Sequence, residues 1–273
     1  MGHWTLDDIN WDRFEPEKVD LELLKLVKAA CMVEHHSGAY GQYLCAIFSD
    51  HPEVCEDALK WAEEEVQHGR ALRRYAELAD PSFDFDDAFA RFTEGHPIDV
   101  DAELSIRGSR CGEMVSRCAV EVGTSSYYSA LRDSIDEPVL REICRNIAAD
   151  EFRHFKLFYK YAKHFQKIEG LSRWSRFRIA MSRFVETGDD ELSYAYYCGT
   201  GDTKPYVRKQ ANTDCMARTL PLFRFEHVQL GVGMALKSAG IKPQGILGKS
   251  ITRVCWIGFR LYTRHMQRAA SYA

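Results

Sequence analysis

The chain contains no run of about 18 apolar residues, so no membrane-spanning helix is expected. Proline is scarce, at 8 of 273 residues, while alanine, glutamate, leucine, arginine and lysine are plentiful, which favours helix. The nine cysteines, an odd number, include no C-x-x-C pair. The polar stretch Met1–Asn10 lacks the apolar segment of a signal peptide. Reduced thiols in a cytoplasmic protein are the expectation. Acidic residues are absent after Glu226, whereas Lys237, Lys242, Lys249, Arg253, Arg260, Arg264 and Arg268 supply seven positive charges there.

Hydrophobic residues at 45% and charged residues at 28% belong to an ordered, globular chain, either one large domain or one domain with an appended segment. The formal net charge of −4 conceals a strong polarity. Residues 1–152 carry 32 acidic and 15 basic side chains, and residues 153–273 carry 8 and 21. Such asymmetry points the C-terminal half at an anionic surface, or else at the acidic half of the same molecule.

Apolar periodicity and punctuation predict an all-α protein. Residues 1–19 read as an irregular lead-in. Asp20 caps a first helix that continues towards Phe48, and Pro52 opens a second that reaches about Ala79. Residues 80–100 form a long connection with a short helix near Asp86–Phe92. A third helix is expected from about Asp101 to Asp133, and a fourth from Asp136 and Pro138 to about Lys167. Short, long and short connections between four long helices are the pattern of a bundle with one crossover, placed here over residues 20–170. Residues 171–273 read as a basic helical extension: an aromatic and arginine-rich stretch over 171–184, a loop around Gly188–Lys204, and helices over Val207–Ser238 and Lys249–Ser271.

Two E-x-x-H motifs stand out, Glu65-Val66-Gln67-His68 in the second helix and Glu151-Phe152-Arg153-His154 in the fourth. Positions i and i+3 share a helix face, so each pair can grip a metal ion through one oxygen and one nitrogen. About one such match arises by chance in a chain of this composition, so context must decide. Glu34 lies 31 residues before Glu65, and Glu121 lies 30 before Glu151. Shifted by 87, Cys31, Val33, Glu34, Tyr40 and Leu44 fall on Cys118, Val120, Glu121, Tyr127 and Leu131. Shifted by 86, Ala62, Glu65, His68, Tyr75 and Ala76 fall on Ala148, Glu151, His154, Tyr161 and Ala162. A duplicated pair of metal-binding helices accounts for these coincidences together. Glu34 and Glu121 sit among apolar residues, where a carboxylate without a partner is costly and a metal removes the cost.

The arrangement resembles the ferritin-like di-iron carboxylate superfamily over roughly residues 20–167. Asp150-Glu151-Phe152-Arg153-His154 resembles the D-E-x-R-H signature of acyl-carrier-protein desaturases and bacterial multicomponent monooxygenases. Glu64-Glu65-Val66-Gln67-His68 resembles the companion E-E-x-R-H, with Gln67 in place of arginine. The short spacing between ligand helices is closer to aldehyde-deformylating oxygenases and demethoxyubiquinone hydroxylases; rubrerythrins share the same bundle. The resemblance implies six ligands, Glu34, Glu65, His68, Glu121, Glu151 and His154, holding two iron ions, with manganese compatible in one or both positions. Asp150 and Arg153 are implied to orient the ligating histidines. Ile147 stands where arylamine-oxidising members carry an extra histidine, which argues against that branch.

The implied activity is oxygen-dependent oxidation of an apolar substrate, a fatty-acyl chain above all, by desaturation or hydroxylation. Iron or peroxide handling and hydroxylation of a quinone or transfer RNA are the alternatives. Without paired cysteines there is no rubredoxin-type site, so electrons are expected from a separate ferredoxin or reductase. The basic C-terminal helix is expected to meet an anionic membrane surface, an acyl carrier protein, or the acidic bundle itself. Nucleic acid is the least favoured partner, a homodimer is compatible with the reading, and the location is cytoplasmic, extending to the inner face of the membrane. His35 and His36 point off the ligand face. Tyr40 and Tyr127 read as packing residues first and radical sites second. Gly38, Ala39, Ser125 and Ser126 either leave room for dioxygen or substrate, or allow tight helix packing.

Overall fold

Asp20 accepts hydrogen bonds from the backbone N–H groups of Glu22 and Leu23, and so starts α1, Leu21–Ile47. Pro52 occupies the first turn of α2, Pro52–Ala79, where its missing N–H costs nothing. The structure, a computed structural model, describes residues 3–186, 190–201 and 204–271, and among these the regular structure is entirely helical. The other helices are α3 (Phe85–Gly95), α4 (Arg110–Arg132), α5 (Pro138–Glu169), α6 (Arg173–Glu186), α7 (Asp190–Thr200), α8 (Arg208–Thr219), α9 (Phe225–Ser238) and α10 (Ile246–Ala270).

Four long helices pack as two antiparallel pairs. In α1–α2 the Cys45–Cys55 disulfide closes one end, and Lys28 Nζ meets Asp80 Oδ2 at 2.6 Å at the other. Between them, a Cβ on Gly69 would stand 2.8 Å from the backbone nitrogen of His35, so the two backbones touch beside His68. In α4–α5, Ser125 Oγ donates to the Ala148 carbonyl at 2.9 Å, and Cys111 Sγ lies 3.3 Å from Gln166 Oε1. Two apolar clusters fill the interior. One holds Leu26, Tyr75, Tyr128 and Ile143; the other holds Leu44, Trp61, Met114 and Phe158.

The remaining helices wrap this assembly. α7 and α8 lie on α1, α6 and α9 lie on α4, and α10 packs against α8 and α9. This explains why α1 buries consecutive residues from Leu26 to Met32: a helix covered on several sides cannot be amphipathic.

The observed boundaries correct several expectations. The third long helix begins at Arg110 rather than Asp101, because Gly108 adopts φ +75° and Ser109 caps the new start through the Gly112 N–H. The loop expected around Gly188–Lys204 contains α7, although residues 187–189 and 202–203 lie outside the described ones. The helix expected over Val207–Ser238 is two, interrupted by a 3-10 turn at Leu220–Leu222 where Pro221 lacks a backbone donor. The last helix starts at Ile246, earlier than Lys249. The lead-in carries three 3-10 turns between Leu6 and Lys18. Two of the nine cysteines are joined, against the expectation of reduced thiols throughout, because the α1–α2 turn brings Cys45 and Cys55 within 4.6 Å at their Cα atoms.

Candidate metal centre

Between the two apolar clusters lies one polar layer. Glu34 projects from α1, Glu65 and His68 from α2, Glu121 from α4, and Glu151 and His154 from α5; each is at most 6% exposed. The i, i+3 spacing sets each glutamate above its histidine on one helix face. All six sequence candidates therefore meet in the interior. They form two groups, Glu34, Glu65, His68 and Glu151, and Glu65, Glu121, Glu151 and His154, with the possible ligand atoms of each group within 4.8 Å of one another. Glu65 and Glu151 belong to both.

The inner ring nitrogens face the carboxylates. His68 Nδ1 is 3.2 Å from Glu65 Oε2, 3.4 Å from Glu151 Oε1 and 3.8 Å from Glu34 Oε2. His154 Nδ1 is 2.9 Å from Glu65 Oε1 and 3.5 Å from Glu121 Oε2. The outer ring nitrogens are held crosswise. His68 Nε2 donates to Asp150 Oδ2 at 3.1 Å, and His154 Nε2 donates to Glu64 Oε2 at 2.7 Å. Arg153 joins these two carboxylates, at 2.9 Å from Glu64 and 2.8 Å from Asp150. It acts on the histidines through them. Such outer carboxylates fix ring orientation and raise ligand basicity.

The N-terminal segment closes the Asp150 side. Trp4 Nε1 donates to Asp150 Oδ2 at 2.6 Å, and His3 Nε2 lies 2.7 Å from the same oxygen. The Trp4 ring runs parallel to that of His68, at 3° and 5.9 Å between centroids. Gln67 Nε2 donates to the Trp4 carbonyl at 2.7 Å. The departure from arginine at this position thus has a physical reason: an amide reaches a backbone carbonyl here, while Arg153 bridges both outer carboxylates, which the two histidines also face.

Two hydroxyls hold candidate ligand carboxylates. Tyr128 donates to Glu34 Oε1, and Thr124 donates to Glu151 Oε2 at 2.8 Å. Burial pushes the carboxyls of Glu34 and Glu121 well above the usual carboxylate range, and the Glu65 charge adds to this at Glu34. Burial opposes the charged form of Glu65 too, yet the facing His154 and His68 hold it well below that range. Against burial, the surrounding carboxylates keep both histidines protonated well above their ordinary value. Against burial, His154 and Arg153 hold Glu64 down to about 2.

Glu121 Oε2, Glu151 Oε1 and His154 Nδ1 are buried without any hydrogen-bond partner. The close Glu65–His154 approach is thus not aligned as a hydrogen bond. Three inward-facing ligand atoms lacking partners, among four carboxylates and two imidazoles, make a site that could hold a metal ion.

His35 and His36 lie outside both groups. Their rings sit against Phe85 and Phe89, and against Phe92, respectively. Tyr40 points to Glu191 at 3.3 Å under the Arg117 guanidinium, and Tyr127 packs edge-on to Tyr128. Ile147 is fully buried. Ser125 and Ser126 are spent on the Ala148 and Val122 carbonyls, which favours their packing role. Sequence reasoning missed Thr124, Tyr128, Glu64, His3 and Trp4. Thr124 stands three residues after Glu121, a spacing that could have revealed it; nothing local marks His3 or Trp4.

Asp150→Asn keeps the shape but weakens the charge-assisted bond to His68. Metal affinity is expected to fall about 10–100-fold, the effect usual for a partner of a ligating histidine. Titration with a competing chelator would measure it, and an unchanged affinity would remove Asp150 from the centre.

Compared with known proteins, the chain matches no family model and no curated protein.

Proposed function

We propose that the four long helices form a ferritin-like di-metal carboxylate bundle, that the two overlapping groups hold a pair of iron ions, and that the protein oxidises an apolar substrate with dioxygen. The sharing of Glu65 and Glu151 between two four-residue groups carries this reading, because shared carboxylates are what a closely spaced cation pair requires. Glu34 and His68 would complete one position, Glu121 and His154 the other. Bound ferrous iron would supply the electrons and open coordination positions that activate dioxygen.

The chain's own residues prepare that chemistry. Asp150 and Glu64 orient the imidazoles, Thr124 and Tyr128 hold the carboxylates of Glu151 and Glu34, and the two apolar clusters keep the layer dry. The resemblance of the D-E-x-R-H segment favours a fatty-acyl substrate and an external ferredoxin or reductase. Iron or peroxide handling is the second reading. It draws on enclosure, since the groove of about 900 Å³ between α9 and α10 is lined by none of the six residues.

Anaerobic loading with ferrous iron is expected to give about two ions per chain. The loaded protein, given reductant, dioxygen and a cell lipid extract, is expected to change acyl species detected by mass spectrometry, with Glu151→Ala as control. Turnover of hydrogen peroxide with an unchanged lipid profile would transfer support to the second reading. Loading no better than in the Glu151→Ala control would end both.

A further inference from the structure

The inner face of α10 buries Gly248 and Thr252 against its neighbours, while the opposite face is bare. Leu247, Val254 and Leu261 recur every seven residues and are 62%, 69% and 59% exposed; Ile257 beside them is 60% exposed. At 100° per residue, Arg253, Arg260 and Arg264 form a row along one flank of this stripe, all exposed. No carboxylate pairs with these arginines among the described residues, and no acidic residue follows Glu226 anywhere in the chain. On the far side of the row lies the groove between α9 and α10. Lys237, Lys242, Lys249 and Arg253 line it, with Glu226 as the one carboxylate.

This geometry separates the occupants. Packing of α10 on the acidic half of the molecule would tie its arginines to carboxylates, and they are not so tied. A nucleic acid would engage the arginines but leave four large aliphatic side chains in water. A bilayer with anionic headgroups uses both features, because aliphatic groups enter the acyl boundary while guanidinium groups remain at phosphate level. No helix among the described residues is long and apolar enough to cross a membrane, so contact is at the surface.

We propose that the exposed face of α10 docks this protein on the surface of an anionic phospholipid bilayer, with the lysines of the adjoining groove extending the cationic contact. The stripe and the arginine row act together and need no metal.

The full chain should float with phosphatidylcholine vesicles that contain phosphatidylglycerol and not with phosphatidylcholine alone. Binding should weaken with salt and be unaffected by a chelator. Arg260→Gln and Arg264→Gln should each weaken it about fivefold. Val254→Asn and Leu261→Asn, which leave the charge unchanged, should each weaken it by about tenfold. All four positions are exposed, so circular dichroism and the melting temperature should match the parent protein. Failure to float with phosphatidylglycerol vesicles would overturn the proposal. So would asparagine variants that bind as well as the parent, since the contact would then be charge alone, as for an acidic protein or a nucleic acid.

Discussion

Glu151→Ala is expected to empty both metal positions, whereas Glu34→Ala should empty one. Glu151 belongs to both groups of candidate ligands, and Glu34 to only one. Losing the shared carboxylate would leave three candidate donors in each group and remove one of the negative charges that would balance the two proposed cations. Replacing mere hydrogen-bond partners of ligands already costs 10–100-fold in affinity, so loss of a shared ligand should exceed about 100-fold at each position. Elemental analysis after loading and gel filtration would read near zero ions for Glu151→Ala and near one for Glu34→Ala. Equal occupancy in the two variants would contradict the shared role. Glu65→Ala should behave as Glu151→Ala does.

The second large effect is a divergence of stability with pH between the metal-free and metal-loaded protein. In the metal-free chain, the raised values of His68 and His154 mean that folding favours their protonated forms. That stability is complete below the ordinary histidine value of 6.5 and is lost as pH climbs towards the raised values. Glu34 and Glu121 act in the same direction, because a raised carboxyl in the fold also favours bound protons. Glu64 and Asp150 act oppositely, and their support disappears as pH falls below the ordinary carboxylate range. The metal-free protein should therefore be most stable in mild acid, weaken as pH rises above the ordinary carboxylate value of 4.5, and weaken more steeply above 6.5, where the histidines join in. Metal must displace those protons, so its affinity rises with pH over the same interval. With free metal a thousandfold above Kd, one site adds about 4 kcal/mol, or roughly 10 °C in Tm for a domain of this size. Melting curves with ferrous iron under anaerobic conditions, and with a chelator, should separate steadily from pH 6 to 8. Parallel curves would mean that the cluster does not exchange protons for metal.

The layer of candidate ligands was legible in the sequence because its pattern is written twice: Glu34 and Glu121, Glu65 and Glu151, His68 and His154 recur at nearly one spacing. Helix starts were legible where capping chemistry is local, as at Asp20 and Pro52. The start of α4 was missed because acidic and apolar residues over 101–107 imitate a helical turn, and only the φ +75° of Gly108 reveals the break. The closure by His3 and Trp4 rests on partners 147 and 146 residues away, which no periodicity encodes. The Cys45–Cys55 bond depends on the register of the α1–α2 turn, and spacing alone does not give it. The disposition of α7 to α10 depends on which faces of α1 and α4 remain uncovered, a property of the assembled helices.

Each antiparallel pair contributes three residues to one group and one glutamate to the other: Glu65 comes from the first pair, Glu151 from the second. These shared glutamates join the two pairs at the polar layer, beside an apolar cluster that spans both pairs and the packing of α7 and α8 on α1. Severed in the connection between α3 and α4, the two parts should stay joined through the shared apolar cluster and the seat of α7 and α8 on α1, and a divalent ion should raise the melting temperature of the pair further. A chelator should remove only that increment.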